Sequence, residues 1–405
     1  MNPAFSKIQL IKAPGEKTIH RAGWVLINPF HIIENGCVEV ENGLITDVYK
    51  ASDRLSSSIP GKDIPGKKII DHGPGVIMPS LVNAHLHLEL SGLKDTLSFD
   101  RGFAAWVLEL LEKREAAGET KLIHEAEKAA KQLAQKGIGY IGEISTLGIT
   151  RTIAQSEKLF GVWFQEFLGS ASPGGKIENS NSLSLSMAGH GPHTTDPFLL
   201  QAVKKKTLAK KLPFSIHLAE SDEESEFIAG EKGQWSQFLT SRGIDTSLWP
   251  IGSKSPVQYL DDLGVLDSLT LAVHLLNMDD RDMDILARTN TRVCICPRSN
   301  FNLHKKLPDI EKMLEKKLAP ALGTDSLASC DSLSILDEMA FVRQKFPKID
   351  PVHILSMATI NGAEALGVEH LSGSLDKGKK SEFIYVDVNV CSKSDLMESL
   401  TFNET

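Results

Sequence analysis

The sequence predicts an α/β protein, a TIM-like (β/α)8 barrel carrying a small β-sandwich domain built from both termini. Three observations lead there. Between residues 73 and 368, short apolar runs of strand character alternate with segments of helical periodicity, the signature of βα units around a parallel sheet. Residues 1–72 and 369–405 instead read as short strands and turn pairs. Histidines and acids recur where the central runs end, which in a barrel is the face that carries function.

In chain order, KIQLIKAP, AGWVLINPFHII and NGCVEVENGLITDVYKA alternate polar and apolar residues, and Asn42-Gly43 is a strong hairpin signal. Eight barrel strands follow: VIMPSLV from Val76, IGYIGEI from Ile138, VWFQEFL from Val162, LSMAGHG from Leu185, FSIHLAE from Phe214, LTLAVHL from Leu269, VCICP from Val293 and LAPALGT from Leu318. Helices fill the gaps. Phe103, Trp106, Val107, Leu110 and Leu111 keep the i, i+3, i+4, i+7, i+8 spacing, and Ile123–Leu133 repeats it. The gap from the fifth to the sixth strand is long enough for two or three helices. After a helical stretch at Pro351–Leu366, GSLDKGKKSEFIYVDV returns to turn and strand character and closes the small domain with the N-terminal segment.

Composition narrows the partners. A net charge of −8 with no basic stretch longer than Lys204–Lys206 argues against nucleic acid and leaves small molecules. No secretory leader or membrane-length apolar run is evident, so a cytoplasmic location is expected. Five irregularly spaced cysteines read as reduced thiols, with Cys294 and Cys296 in a strand core. A homodimer is left open.

The chemistry centres on VIMPSLVNAHLHLELSGL. On a strand, His85, His87 and Glu89 project to one side, and two imidazoles on a rigid face are how nitrogen ligands are presented to a divalent metal. His190 and His193 follow the fourth run, His217 and Glu220 the fifth, His274 the sixth and Asp325 the eighth. One ion held by His85, His87, His217 and Asp325 would leave a coordination position for water. Zinc and ferrous iron suit such a set equally. His20, His31, His72, His124, His304, His353 and His370 read as ordinary core or surface residues.

PSLVNAHLHLE, HLAES, VH with CPRSN, GTDSLAS, NGAEALG and GSLDKGKKSEFIYVD together resemble the amidohydrolase superfamily, in its branch that hydrolyses ring amino groups. The resemblance spans nearly the whole chain and implies a barrel with a composite β domain. The fourth run has no lysine of the kind that bridges two metals in binuclear members, which implies one ion. Ser381-Glu382 stands where the family usually has Ala-Asp. HLHLELSGLKDTLSFDRGFAAWVLELLEKRE is most similar to aminodeoxyfutalosine deaminases of the alternative menaquinone pathway, less so to methylthioadenosine/S-adenosylhomocysteine deaminases.

In that setting Asp325 takes the proton of the attacking water, Glu220 protonates the ring nitrogen and then the leaving ammonia, and His274 holds the attacking oxygen. His193 resembles the position that contacts the purine, with His190 as its neighbour. Glu89 suits the ribose hydroxyls, and Arg298, or else Arg101, suits a substrate carboxylate. The alternatives are a triazine aminohydrolase or chlorohydrolase, a cyclic-amide hydrolase, and a non-catalytic metal-binding barrel, which would need no Glu220. The lack of an H-x-E with P-C-x-x-C pattern excludes the cytidine type.

Overall fold

The computed structural model describes residues 8–13, 15, 17–54, 68–170, 174–230, 233–247 and 249–402. Lys7 and Pro14 of the first expected strand, and the last three residues of the expected small domain, lie outside them. Strands β1 (Ile8–Lys12), β2 (Thr18–Asn28), β3 (His31–Glu41), β4 (Leu44–Lys50), β5 (Lys68–Asp71) and β6 (Val76–Pro79) join the late strand Glu382–Val386 in one seven-stranded sheet. Asn42 and Gly43 both hold positive φ, 53° and 75°, which is what a two-residue hairpin with native twist requires.

The second sheet has eight parallel strands in chain order: β7 (Leu81–Leu86), β8 (Ile138–Ser145), β9 (Phe160–Phe167), β10 (Leu183–Gly189), β11 (Phe214–Leu218), β12 (Thr270–His274), β13 (Arg292–Ile295) and β14 (Ala321–Leu322). The chain just past β14 returns to β7. Thr324 and Asp325 N–H donate to the His85 carbonyl at 3.0 and 3.1 Å, and His87 N–H donates to the Asp325 carbonyl at 3.2 Å. This is a nearly closed (β/α)8 barrel. The late strand is β15 (Glu382–Val386).

The structure corrects the sequence reading at both joints. VIMPSLV is two strands: Val76–Pro79 pairs with β15 and β2 in the terminal sheet, and the barrel strand starts at Leu81. The run is apolar on both faces because both sheets bury it, so periodicity cannot mark the break at Ser80. The terminal sheet is docked by alternation. Trp24, Leu26, Val76, Met78, Ile384 and Val386 enter the core shared with the barrel, while Val25, Ile77, Phe383 and Tyr385 form the sheet's own core. At the other joint, the helix Lys393–Thr401 leaves the small sheet and puts Leu396, Met397 and Leu400 into the barrel core. Three helices, Asp222–Ile228, Gln234–Ser241 and Pro256–Asp262, fill the long gap between β11 and β12. A break at Gly118 (φ 71°) divides the helical stretch Phe103–Gln135. No helix among the described residues is long and apolar enough to cross a membrane, and all five cysteines are free thiols.

Two histidines read as ordinary form a pair in the terminal sheet. His20 and His72 stack at 5.2 Å and share a 2.9 Å hydrogen bond between Nδ1 and Nε2. Burial, then the neighbouring His72, holds His20 down to about 4. The unfolded chain takes up that proton near 6.5, so the stabilisation is full above pH 6.5 and is lost as the pH falls from there through about 4. Urea unfolding at about pH 7.5 and about pH 5 is expected to cost wild type about 2 kcal/mol more than His20→Gln. Equal losses in the two proteins would remove the pair from the account.

Candidate active site

The strand ends bring the candidate residues to one cavity of about 300 Å3, lined among others by His87, Glu89, His190, His193, His217, Glu220, His274 and Asp325. Four of the residues at or beside these ends are forced into the left-handed region: Ala219, His274, Leu275 and Asp325 have φ of 53°, 80°, 60° and 58°. For non-glycine residues this conformation costs free energy and is kept only where surrounding contacts dictate it. At Ala219 the dictating contact is visible. The buried Glu224 carboxylate accepts the N–H groups of Ala219 at 2.9 Å and Glu220 at 2.7 Å, fixing the turn that carries Glu220. Burial pushes Glu224 up to about 8 despite those donors.

Three overlapping groups of side chains among the described residues could hold a metal ion: His85, His217 and His274; His85, His87 and Asp325; and Glu166, His190 and His217, with ligand atoms within 4.8 Å of one another in each; the first two share His85. Their protonation suits a cation. Burial first, then the rings of His87, His217 and His274, push His85 well below the ordinary imidazole value. Burial holds His87 down to about 3 against the opposing pull of Asp325, and burial lowers His217 as well. Metal ligands must be unprotonated, and these are.

Both ring nitrogens of His85 are buried without a hydrogen-bond partner among the described residues, a costly state that a bound cation would relieve at one of them. The other candidates are oriented from behind. His217 Nδ1 donates to the His190 carbonyl at 2.7 Å, leaving Nε2 for the ion. His274 Nδ1 meets Asn300 Oδ1 at 2.8 Å. Asp325 Oδ2 accepts Ser299 and Ser329 hydroxyls at 2.6 and 2.7 Å, which leaves Oδ1 free, 3.8 Å from His87 Nε2. The donors present therefore fit a divalent ion.

Glu220 is buried among imidazoles. Its Oε1 lies 3.7 Å from both His274 Nε2 and His304 Nε2. Burial raises the carboxyl, yet His274, His304 and His217 together outweigh it and hold the group well below the usual range. Asp222 and Glu223, two places along the same acidic run, are not buried with it. His193 packs its ring on Trp235 at 5.0 Å, and His190 Nδ1 meets Thr194 Oγ1 at 2.8 Å.

Two residues expected from the sequence to touch substrate are placed differently from that expectation. Glu89 sits on a 3-10 turn (Leu88–Leu93) and not on the strand, because the buried Glu143 carboxylate captures Leu88 N–H at 3.1 Å and bends the chain. Its carboxylate is already occupied by Ser145 Oγ (2.6 Å) and the N–H groups of Thr146 and Leu147 (both 3.1 Å), so it anchors the β8 loop. Arg298 turns away from the cavity and pairs with Asp331 and, at 3.7 Å, Asp337. Its neighbours in CPRSN, Ser299 and Asn300, serve the site instead. Arg101 pairs with Glu109 at 2.6 Å.

The sequence reading missed His304, Glu166 and two cavity-lining arginines, Arg114 and Arg242. Glu166 had one legible signal, an acid inside an otherwise apolar strand; the others had none.

The family model described as "Amidohydrolase family" matches residues 76–404, about four-fifths of the chain. The chain belongs to the amidohydrolase family. As such it is a hydrolase acting on carbon–nitrogen bonds. This amidohydrolase is 26% identical to the 5-methylthioadenosine/S-adenosylhomocysteine deaminase of Caldanaerobacter subterraneus subsp. tengcongensis, over 88% of this chain and 84% of that one. It is 29% identical to the aminodeoxyfutalosine deaminase of Deinococcus radiodurans, over 72% and 73%. In fold it superposes on the Helicobacter pylori aminofutalosine deaminase in complex with methylthio-coformycin with a TM-score of 0.81 at 24% identity, covering 95% of each chain.

Proposed function

We propose that this amidohydrolase hydrolyses the amino group of an adenine nucleoside modified at its 5′ position, with 6-amino-6-deoxyfutalosine as the substrate and a hypoxanthine nucleoside and ammonia as products. The observation that carries the reading is the mixed lining of the cavity. Beside His87, His190, His193, His217, His274, Glu220 and Asp325 it holds Phe103, Trp106, Leu110, Trp235 and Phe238, and with them Arg114 and Arg242, whose guanidinium groups make no ion pair among the described residues. An aromatic 5′ substituent ending in a carboxylate suits such a chamber, because apolar walls bury the ring and a guanidinium fork receives the acid. Relatives that are 5-methylthioadenosine/S-adenosylhomocysteine deaminases favour a second reading, in which the cavity takes an uncharged methylthio group.

His85, His87, His217 and Asp325 would hold one divalent ion per chain, Zn2+ or Fe2+, which when bound would supply the Lewis acidity that makes water a nucleophile near neutral pH. β10, LSLSMAG, contains no lysine to bridge a second ion. The protein's own groups then move two protons. Glu220, a carboxylate at rest, takes the first from the attacking water and gives it to the ring nitrogen beside the amino-bearing carbon. Asp325 Oδ1 takes the second and returns it to the departing amino group, so that ammonia leaves and both carboxylates are restored. His274, steered by Asn300, holds the incoming oxygen in line.

Ammonia release from a panel of adenine nucleosides tests the reading: the carboxylate-bearing nucleoside, methylthioadenosine, S-adenosylhomocysteine and 5′-deoxyadenosine. The carboxylate-bearing substrate is expected to show the highest kcat/KM. Arg114→Ala is expected to lower it by about tenfold or more, the usual worth of a charge-assisted hydrogen bond, and to leave methylthioadenosine nearly unchanged. A wild-type preference for methylthioadenosine, or equal losses on both, would establish the second reading instead.

A further inference from the structure

Among the described residues Glu166 is the one cavity-lining acid with a buried oxygen that has no hydrogen-bond partner. It stands near the end of β9, is 4% exposed, and lines the cavity beside the imidazole cluster. Its Oε2 accepts the Thr146 hydroxyl at 2.5 Å. Its Oε1 is buried and has no hydrogen-bond partner among the described residues. His217 Nδ1, 3.7 Å away, cannot serve, since its single N–H is already given to the His190 carbonyl. The same fact argues against a second ion held by Glu166, His190 and His217, although their ligand atoms lie within 4.8 Å of one another. That site would require His217 to surrender the proton that orients it.

A buried carboxylate oxygen without a donor costs several times what an ordinary hydrogen bond contributes, so a site that retains one is built for a donor that arrives. Glu89, another acid lining the cavity, already accepts hydrogen bonds on both oxygens from the β8 loop. The donors of an adenine nucleoside beyond its base are the ribose hydroxyls.

On the reading that the substrate is such a nucleoside, we infer that Glu166 Oε1 accepts a hydrogen bond from a ribose hydroxyl and selects ribose over deoxyribose. Thr146 has the supporting part. Its hydroxyl occupies Oε2, and its N–H is held by Glu89 at 3.1 Å, so the β8 loop fixes the carboxylate with Oε1 toward the substrate. A substrate without that hydroxyl leaves the oxygen unpaired, and a site of this kind discriminates by what it leaves unpaired.

The test compares wild type, Glu166→Gln and Glu166→Ala on the best nucleoside of the panel and on its 2′-deoxy and 3′-deoxy analogues. Metal content and equilibrium binding of the hypoxanthine product are measured alongside. Wild type is expected to lose about ten- to hundredfold in kcat/KM on one of the two deoxy analogues, chiefly through KM. Glu166→Ala is expected to keep its ion, to show a similar loss on the parent nucleoside and on product binding, and to lose nothing further on that analogue. Wild type treating all three nucleosides alike overturns the inference and leaves the deaminase reading standing, and needs no variant to fold. Equal losses by Glu166→Ala on all three substrates also overturn it. Absence of ammonia release from every adenine nucleoside overturns the deaminase reading and this inference with it.

Discussion

Glu220→Gln is expected to lower turnover by about two to four orders of magnitude while leaving metal content unchanged, the range usual for loss of a proton-transferring side chain. The substitution keeps shape and hydrogen-bonding length but cannot carry a proton. Glu220 is placed for that task by the Glu224 carboxylate, which grips its N–H at 2.7 Å, and by His274 and His304, each 3.7 Å from Oε1. Because these neighbours hold its carboxyl well below the usual range, Glu220 is ionised at neutral pH and begins the cycle able to accept. Steady-state kinetics on the carboxylate-bearing nucleoside, with elemental analysis of the same preparation, decide the matter. Near-normal turnover in the variant would make Glu220 a structural acid and shift proton transfer to Asp325 alone.

The second large effect concerns the ion. Purified protein is expected to hold close to one divalent ion per chain, and His217→Ala or Asp325→Ala to release it and abolish turnover. Removal of either side chain does more than delete a ligand. His217 is tied to the His190 carbonyl, and Asp325 gathers the hydroxyls of Ser299 and Ser329. Its backbone also helps close the barrel onto the chain end that carries His85. Metal-ligand side chains and the groups behind them stand or fall together. Elemental analysis finding two tightly held ions per chain in wild type would refute the single-ion arrangement, as would full occupancy in both variants.

How far the sequence reaches differs between the strand-end cluster and the residues expected to touch substrate. His85, His217, His274 and Asp325 could be read because barrel strands are short apolar runs and the polar residue that ends one is conspicuous. The same rule misled at Glu89 and Arg298. Spacing alone carried Glu89 onto the strand face, whereas the remote Glu143 bends the chain one residue after His87. Arg298 follows β13 directly, but its helix turns the guanidinium toward Asp331 and Asp337 and offers Ser299 and Asn300 to the site.

By itself, then, the sequence determined the αβ alternation, the hairpin at Asn42-Gly43, the set of strand-end histidines and acids, and through its motifs the family. Those are properties of local spacing and residue chemistry. Only the tertiary structure decided that Val76–Pro79 belongs to the terminal sheet, that Arg114 and Arg242 line the same cavity as Glu220, that His304 stands beside it, and that Glu166 keeps one oxygen without a donor. Each of these depends on contacts between residues far apart in the chain, and no periodicity along the chain records which distant partner has already filled a given hydrogen-bonding position.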